Sequence, residues 1–294
     1  MAKAREIVKR RKAVRNIRKI TKVMQMVATA RFQKSLKRAK ATRPYVEHLT
    51  ELVHTVAASV GNLPQSVRHP LLAQRNIKRI GLLVVTRNRG LAGAFNSNIL
   101  RLAMAQIREL ESAGKQVEIY VGGRKGAAYF RFARRPVRYA YSNIGDNPRA
   151  EEVAEAAQNL MDDFVSGHID AIKIAYVKFI SVGQQKPIVQ DVLPLNFASA
   201  SETGRPIIKA DIEFSPDAPV LLAALLPTMV KSAAFQAFID SAVSEQIARM
   251  LAMAAATENA ESMSKVLTRD YNRARQSQIT SELAELMGGV EAMK

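Results

Sequence analysis

The stretch RMLAMAAATENAESMSKVLTRDYNRA, Arg249–Ala274, contains neither glycine nor proline and lies inside a 60-residue run, 228–287, free of both. A run this long without a breaker predicts one long helix. At about 1.5 Å per residue it would span roughly 90 Å, more than the diameter of an ordinary domain of this mass. The helix is therefore expected to extend beyond any globular part. The other end of the chain repeats the pattern. Residues 1–43 have no glycine or proline, and Pro44 stands alone before Gly61.

Both ends carry a seam. Met253, Ala256, Ala260, Met263, Leu267 and Ala274 recur at alternating steps of three and four, interrupted at Asp270. In the first segment the same steps give Ile7, Arg10, Val14, Ile17, Thr21, Met24 and Ala28, widened by Ala13, Ile20 and Val27. This alternation is the heptad pattern of a coiled coil. Neither seam is strong enough to hold a lone helix in water. Pairing the first helix with the last buries both, and the small alanines would let the backbones approach closely. With the rest of the chain inserted between them, the pair is expected to run antiparallel.

Between these ends, glycine and proline recur every few residues. Apolar runs at Lys78–Thr86, Gln116–Val121, Val137–Tyr141, Asp170–Ile180 and Pro187–Leu195 read as strands, the last two as a hairpin. Asn96–Ala113, Arg124–Ala133 and Arg149–Val165 read as helices. Strands alternating with helices predict a parallel or mixed sheet with helical cover. The fold class is thus α/β: a long antiparallel coiled coil of terminal helices with an inserted, Rossmann-like domain. The expected division is a helix over 1–60, an α/β domain over 70–215 and a helix over 216–294, with a loop at 196–210.

The chain has 294 residues, no cysteine, and 44 Lys and Arg against 26 Asp and Glu, a net charge of +18. The lack of cysteine excludes disulfide scaffolds, thiolate metal sites and cysteine nucleophiles. The longest apolar runs, IGLLVV and APVLLAALLP, are far below the roughly 20 residues that cross a bilayer. The N-terminus is basic but lacks the apolar core of a secretory signal. Residues 1–44 alone hold 16 basic side chains and one acidic, Glu6. Such a helix calls for an acidic partner, and composition leaves nucleic acid and an acidic protein surface about even. Aromatic residues for base stacking are sparse, with only Phe32 and Tyr45 nearby.

Signs of catalysis are weak. Arg87–Asn98, RNRGLAGAFNSN, follows a strand and opens a helix, where phosphates bind in nucleotide folds. Its glycines, Gly90 and Gly93, match neither dinucleotide nor P-loop spacing, and GGRKG at Gly122–Gly126 fails likewise. Tight turns at strand ends explain both better. His48, His54, His69 and His168 lie far apart or at the wrong helical spacing for a metal. Glu151, Glu152, Glu155, Asp162 and Asp163 read as a solvated helix face. No catalytic residues, cofactor or metal are expected.

A resemblance decides among these readings. IRKITKVMQMVATARFQK (Ile17–Lys34) followed by Arg43-Pro44-Tyr45, SEQIARMLAMAAATENAESM (Ser244–Met263) and YNRARQSQITSELAELMGG (Tyr271–Gly289) closely resemble segments of the gamma subunit of F-type ATP synthases. RNRGLAGAFN resembles that family's loop after its first strand. Asn88 stands where the family usually has Asp, Ala92 where it often has Cys, and Val23 where Ala is usual. The lack of cysteine separates the chain from the thiol-switched chloroplast type.

The resemblance implies a non-catalytic rotor shaft inside a ring of alpha and beta subunits, with its α/β domain against the epsilon subunit and the c-subunit ring. It implies coupling of ion-driven rotation to ATP synthesis and hydrolysis, with regulation of ATPase activity and proton flow. It implies no nucleic-acid partner. The expected location is the cytoplasmic face of a bacterial plasma membrane, held there through the complex. Carried over singly, Arg275 and Gln276 match a pair that bonds an acidic catch loop of one beta subunit. Thr280, Glu282 and Glu285 match polar positions of the same helix. Lys22, Met24 and Arg249 match positions near the beta subunit's acidic lever. Leu283–Met293 would sit in an apolar sleeve of the ring, with Gly288-Gly289 ending the regular helix.

Overall fold

The computed structural model describes residues 2–60, 70–72, 75–194 and 215–291; the loop expected at 196–210 lies outside them. Helix α1 runs Ala2–Val60 and helix α5 runs Ala218–Glu291, each with one proline inside, Pro44 and Pro227. Gly288 and Gly289 lie within α5 rather than ending it. Between the long helices come β1 (Arg79–Val85), α2 (Phe95–Ser112), β2 (Gln116–Gly122), α3 (Arg124–Phe132), β3 (Tyr139–Tyr141), α4 (Ala150–Val165), β4 (Ala171–Ser181) and β5 (Gln184–Leu193). One 18-residue window of α5 has a mean hydropathy of 1.6, apolar enough by composition to cross a membrane, although no single unbroken apolar run is. A helix that packs along a core shows the same composition, and Leu222, Leu226, Met229 and Val230 are buried in just such a core.

The chain forms two compact units: Met1–Ala30 with Arg249–Lys294, and Arg31–Ala248. In the larger unit the strands lie in the order β3-β2-β1-β4-β5. β1 pairs in parallel with β2 and β4, β2 in parallel with β3, and β4 with β5 as an antiparallel hairpin. β5 starts at Gln184, earlier than Pro187, because Gln184 and Gln185 already pair with Ser181 and Phe179 across the tight turn. Successive residues of β1 are buried on opposite faces, as in a sheet with helical cover on both sides. Leu83 and Val85 join a core with α4, Leu49–Val56 of α1 and Leu222–Phe238 of α5. Leu82 and Val84 face α2 and α3. Gly122, at the end of β2, lets α5 come close: a Cβ there would lie 2.5 Å from the Phe238 ring.

The smaller unit is a helical hairpin. Arg11 stacks on the Tyr271 ring at 4.9 Å, Arg18 lies 3.9 Å from Glu261, and the Thr257 hydroxyl donates to that of Thr21 at 2.8 Å. Partners fall on α5 as numbers rise on α1, so the helices are antiparallel. Half of the expected seam is found and half is displaced. Val14, Thr21, Ala28, Met253 and Ala260 are buried. Arg10, Ile17, Met24 and Met263 are exposed, as are the widening residues Ala13, Ile20 and Val27. The alternate seam positions are instead the half-buried Arg11, Gln25, Ser264 and Tyr271, with the more exposed Arg18 reaching Glu261 at the rim, each one residue further on. The heptad steps are therefore four then three. Small residues and paired polar side chains close the interface around the buried Val14 and Met253, while Ile17, Ile20, Met24, Val27 and Met263 are turned outward.

Candidate functional site

The displaced residues build a surface. Ile17, Ile20, Met24 and Val27 fall at steps of three and four, and so share one stripe of α1. Ile20 is 56% and Met26 58% exposed, with Val23 beside them. Lys9, Lys12, Arg15, Lys19 and Lys22 are exposed on the same helix. On α5, Leu251, Met263, Val266, Ile279, Leu283, Leu286 and Met287 are exposed, the last at 74%. Large apolar side chains held outside a formed seam, bordered by charge, mark a protein-binding surface. An amphipathic helix needs one apolar face. α1 has two, and among the described residues only one is covered. That surplus is legible in the sequence, since one seam cannot take in both faces.

Arg275, Gln276, Thr280, Glu282 and Glu285 all lie exposed on α5, off the line of Tyr271, Ala274 and Gln278. Ten residues of helix bring the five within about 15 Å along one axis. The Thr280 hydroxyl donates to the Gln276 carbonyl at 3.0 Å, and the Gln278 amide to Glu282 at 2.8 Å. Lys22 is exposed, with its ammonium 3.5 Å from the Gln25 amide oxygen. Met24 is exposed beside the seam, and Arg249 is half-buried. Lys22 and Met24 belong to the part of α1 that faces Thr257 and Glu261, not to the Arg275–Glu285 group.

The loop Arg87–Asn98 is a tie. In doubly wound folds, ligands bind outside the carboxyl ends of the strands, where the strand order reverses. Here that place is taken by α5. The Arg87 guanidinium, 2% exposed, donates to the fully buried Glu245 at 2.9 Å and to the Gly145 carbonyl at 3.1 Å. The Arg87 N–H donates to the Asn96 side-chain oxygen. Asn88 donates from its amide to the Ile144 carbonyl at 2.8 Å and accepts from the Arg124 N–H at 2.9 Å. Aspartate there would lack the donor, which accounts for an asparagine at this position. Asp146 then lies 3.1 Å from Arg31 of α1 and 3.4 Å from Arg89. These ties join residues up to 158 positions apart, which local patterns cannot reveal.

The acidic face expected on α4 is only partly solvated. Asp163 is buried, accepts from the Tyr120 hydroxyl, and takes both arms of the Arg138 fork at 2.6 and 2.7 Å. Burial alone would raise its pKa, but the Arg138 and Tyr120 hydrogen bonds outweigh it and hold the carboxyl below its usual range. Asp240 on α5 goes the other way. Burial raises it, against the pull of Arg43 at 4.0 Å and the Gln236 amide at 2.7 Å. Among the described residues no cluster of His, Cys, Asp and Glu is arranged to hold a metal. His69 and the side chain of His54 lie outside that description.

A family model described as ATP synthase matches residues 3–293. The ATP synthase gamma chain of Rhodopirellula baltica is 40% identical over 299 residues, covering all of both chains. That of Leptospira biflexa is 37% identical over 294 residues, again covering both. Among solved structures, a chain of the Euglena gracilis mitochondrial ATP synthase superposes with a TM-score of 0.67 at 18% identity, over 99% of this chain and 95% of its own. One from the central stalk and c-ring of the Tetrahymena thermophila enzyme gives 0.59 at 21%, over 81% of this chain and 99% of its own. At those identities the solved structures speak for the fold alone.

Proposed function

We propose that this chain, which belongs to the ATP synthase gamma-chain family, is the central rotor shaft of an F-type ATP synthase. The observation that carries this reading is the second apolar face of the hairpin, Ile17–Val27 on α1 and Ile279–Met287 on α5, set outside a seam that is already closed. A shaft needs such a surface against a surrounding ring of alpha and beta subunits. The division into a helix over 1–60, an α/β domain over 70–215 and a helix over 216–294 belongs to the same reading. The α/β domain would meet the epsilon subunit and the c ring, through which ion flow turns the shaft. The complex would hold the chain at the cytoplasmic face of a bacterial membrane.

The shaft catalyses nothing itself. It presents different side chains to each catalytic subunit at each angle, and so favours a different conformation in each. Arg275 and Gln276 carry the most directional contact, since the planar Arg fork suits a carboxylate of a beta-subunit catch loop. Thr280, Glu282 and Glu285 border it. Lys22, Met24 and Arg249 meet the beta subunit's acidic lever. Shaft position thereby also sets how fast the complex hydrolyses ATP and passes protons.

The test is co-purification with tagged alpha and beta subunits, followed by ATP-driven proton pumping after reconstitution with the membrane sector. The wild-type chain should enter the complex and support pumping. Ile20→Asp with Val27→Asp should stay folded, because both residues are exposed, yet fail to assemble. A wild-type chain that never co-purifies with the ring would end this reading.

A further inference from the structure

A notch of about 460 Å³ lies in the larger unit between α1 and the residues leading into α4, lined by Lys34, Lys37, Arg38, Ala41, Asn147 and Arg149. Lys37 and Arg38 lie three and four residues after Lys34, and Ala41 seven after it, so α1 presents them as one wall. Four cations converge on the notch and no carboxylate lines it. Two are fixed in place. Arg38 donates to the Asn147 side-chain oxygen at 2.6 Å and lies 5.6 Å over the Phe235 ring. Arg149 is held by Glu152 at 2.9 Å, the nearest balancing charge on that side. Across the neighbouring loop, Asp146 is already engaged by Arg31 and Arg89. Lys34 and Lys37 have no ion-pair partner among the described residues.

We propose that this notch is a binding site for a compact phosphate anion, with pyrophosphate as its simplest form. A pre-aimed guanidinium beside mobile ammonium groups is how proteins hold phosphate oxygens. A docked protein segment is the poorer fit. Protein interfaces are organised round apolar or aromatic anchors, and the chain displays its anchors on the Ile17–Val27 stripe, whereas this notch offers only Ala41. The site lies outside the Ile17–Val27 stripe and the Arg275–Glu285 group, and its ligand would act on the chain as an effector.

A basic chain attracts any polyanion, so the test compares two pairs of lysines. Isothermal calorimetry of the purified full chain with pyrophosphate, in about 0.1 M salt to screen long-range attraction, should show one saturable site of sub-millimolar affinity. Lys34→Gln with Lys37→Gln should weaken it roughly tenfold, as expected from losing contacts to a charged group. Arg149→Gln should weaken it as well. Lys9→Gln with Lys12→Gln removes the same charge elsewhere on α1 and should leave the affinity unchanged. Lipid headgroups carry the same chemistry, so sedimentation with phosphatidylglycerol vesicles runs in parallel. Notch-dependent vesicle binding without pyrophosphate binding assigns the phosphate to lipid; pyrophosphate binding alone assigns it to the free anion. Loss of affinity to the same extent in both lysine pairs overturns the proposal, as does the absence of saturable binding to either probe.

Discussion

The same two helices are built differently in the two units. Within Arg31–Ala248 their inward positions are large and apolar, with Phe32, Leu49 and Val53 on α1 and Leu226, Phe238 and Val243 on α5, all buried against the sheet or one another. Within the hairpin Thr21, Gln25, Ala28, Ala260 and Ser264 hold most of the inward positions, with Val14 and Met253 buried among them, while Ile17, Ile20, Met24, Val27 and Met263 face out. One unit spends its apolar surface on its own stability. The other holds itself together with small residues and polar pairs, and keeps its apolar surface for a partner. The contrast predicts that substitutions in the larger unit are read in denaturation and those on the hairpin in assembly and turnover.

The largest effect is expected from Phe238→Ala, which empties a fully buried site against Gly122. It should cost about 3–5 kcal/mol in urea denaturation. Ile20→Ala, on the outward stripe, should change stability by less than about 0.5 kcal/mol. Equal losses at the two sites would erase the contrast. Next comes Arg87→Met, which takes the guanidinium away from the fully buried Glu245 and should cost about 3 kcal/mol. Adding Glu245→Leu should recover most of it, since a buried pair can be replaced by apolar residues with little loss.

Asp163→Asn should cost about 2 kcal/mol at neutral pH, the scale of hydrogen bonds to a charged group. Because the folded carboxyl titrates below its unfolded value, this stability is present above about pH 4 and is lost as pH falls through the lowered folded value. The variant should therefore show a flatter acid limb in denaturation measured against pH. An unchanged limb would mean that Arg138 and Tyr120 do not hold the charge.

On the hairpin, Arg275→Ala should leave folding and assembly intact and slow turnover of the reconstituted complex about tenfold, equivalent to about 1.4 kcal/mol on one step. Arg275→Lys keeps charge without the fork and should recover only part of the rate. Wild-type turnover of Arg275→Ala in an intact complex would remove this contact from the coupling. A smaller effect than at Arg275 is expected at the seam. Thr257→Val should cost about 1 kcal/mol. In the same place, Thr21→Cys with Thr257→Cys should form a disulfide on mild oxidation, while Ile17→Cys with Met263→Cys should not. The chain has no native cysteine to confuse the readout. Crosslinking by the second pair alone would restore the three-then-four register.

Most of the larger unit was legible in the sequence. Apolar runs of strand length separated by glycine located β1, β2 and β4, and the helices between them begin and end within a residue or so of their expected bounds. Two kinds of feature were not legible. The seam register failed because counting apolar residues favours Ile17, Met24 and Met263, whereas helix contact favours the small and paired residues beside them. A pattern cannot separate an inward face from a face kept for a partner when both are apolar. The second kind is long-range polar pairing. Nothing near Arg87 announces Glu245, and Asp163 looked like one more solvated acid on α4 until Arg138 and Tyr120 were placed against it. Arg275 and Gln276 were found through family resemblance, because an exposed Arg-Gln on a long helix carries no signal of its own.

The exposed far end of α5 has a consequence in time rather than in space. Every residue of 281–289 is exposed, and Leu283, Leu286 and Met287 have no covering side chains among the described residues. Two to three turns of helix with so little packing open often, since helical stability in proteins comes mainly from the packed face. On the proposed shaft reading, a protease that needs an open backbone will cut this segment readily in the unassembled chain and be shut out where the ring closes round it. The rate of clipping in this segment would then be a clock for assembly.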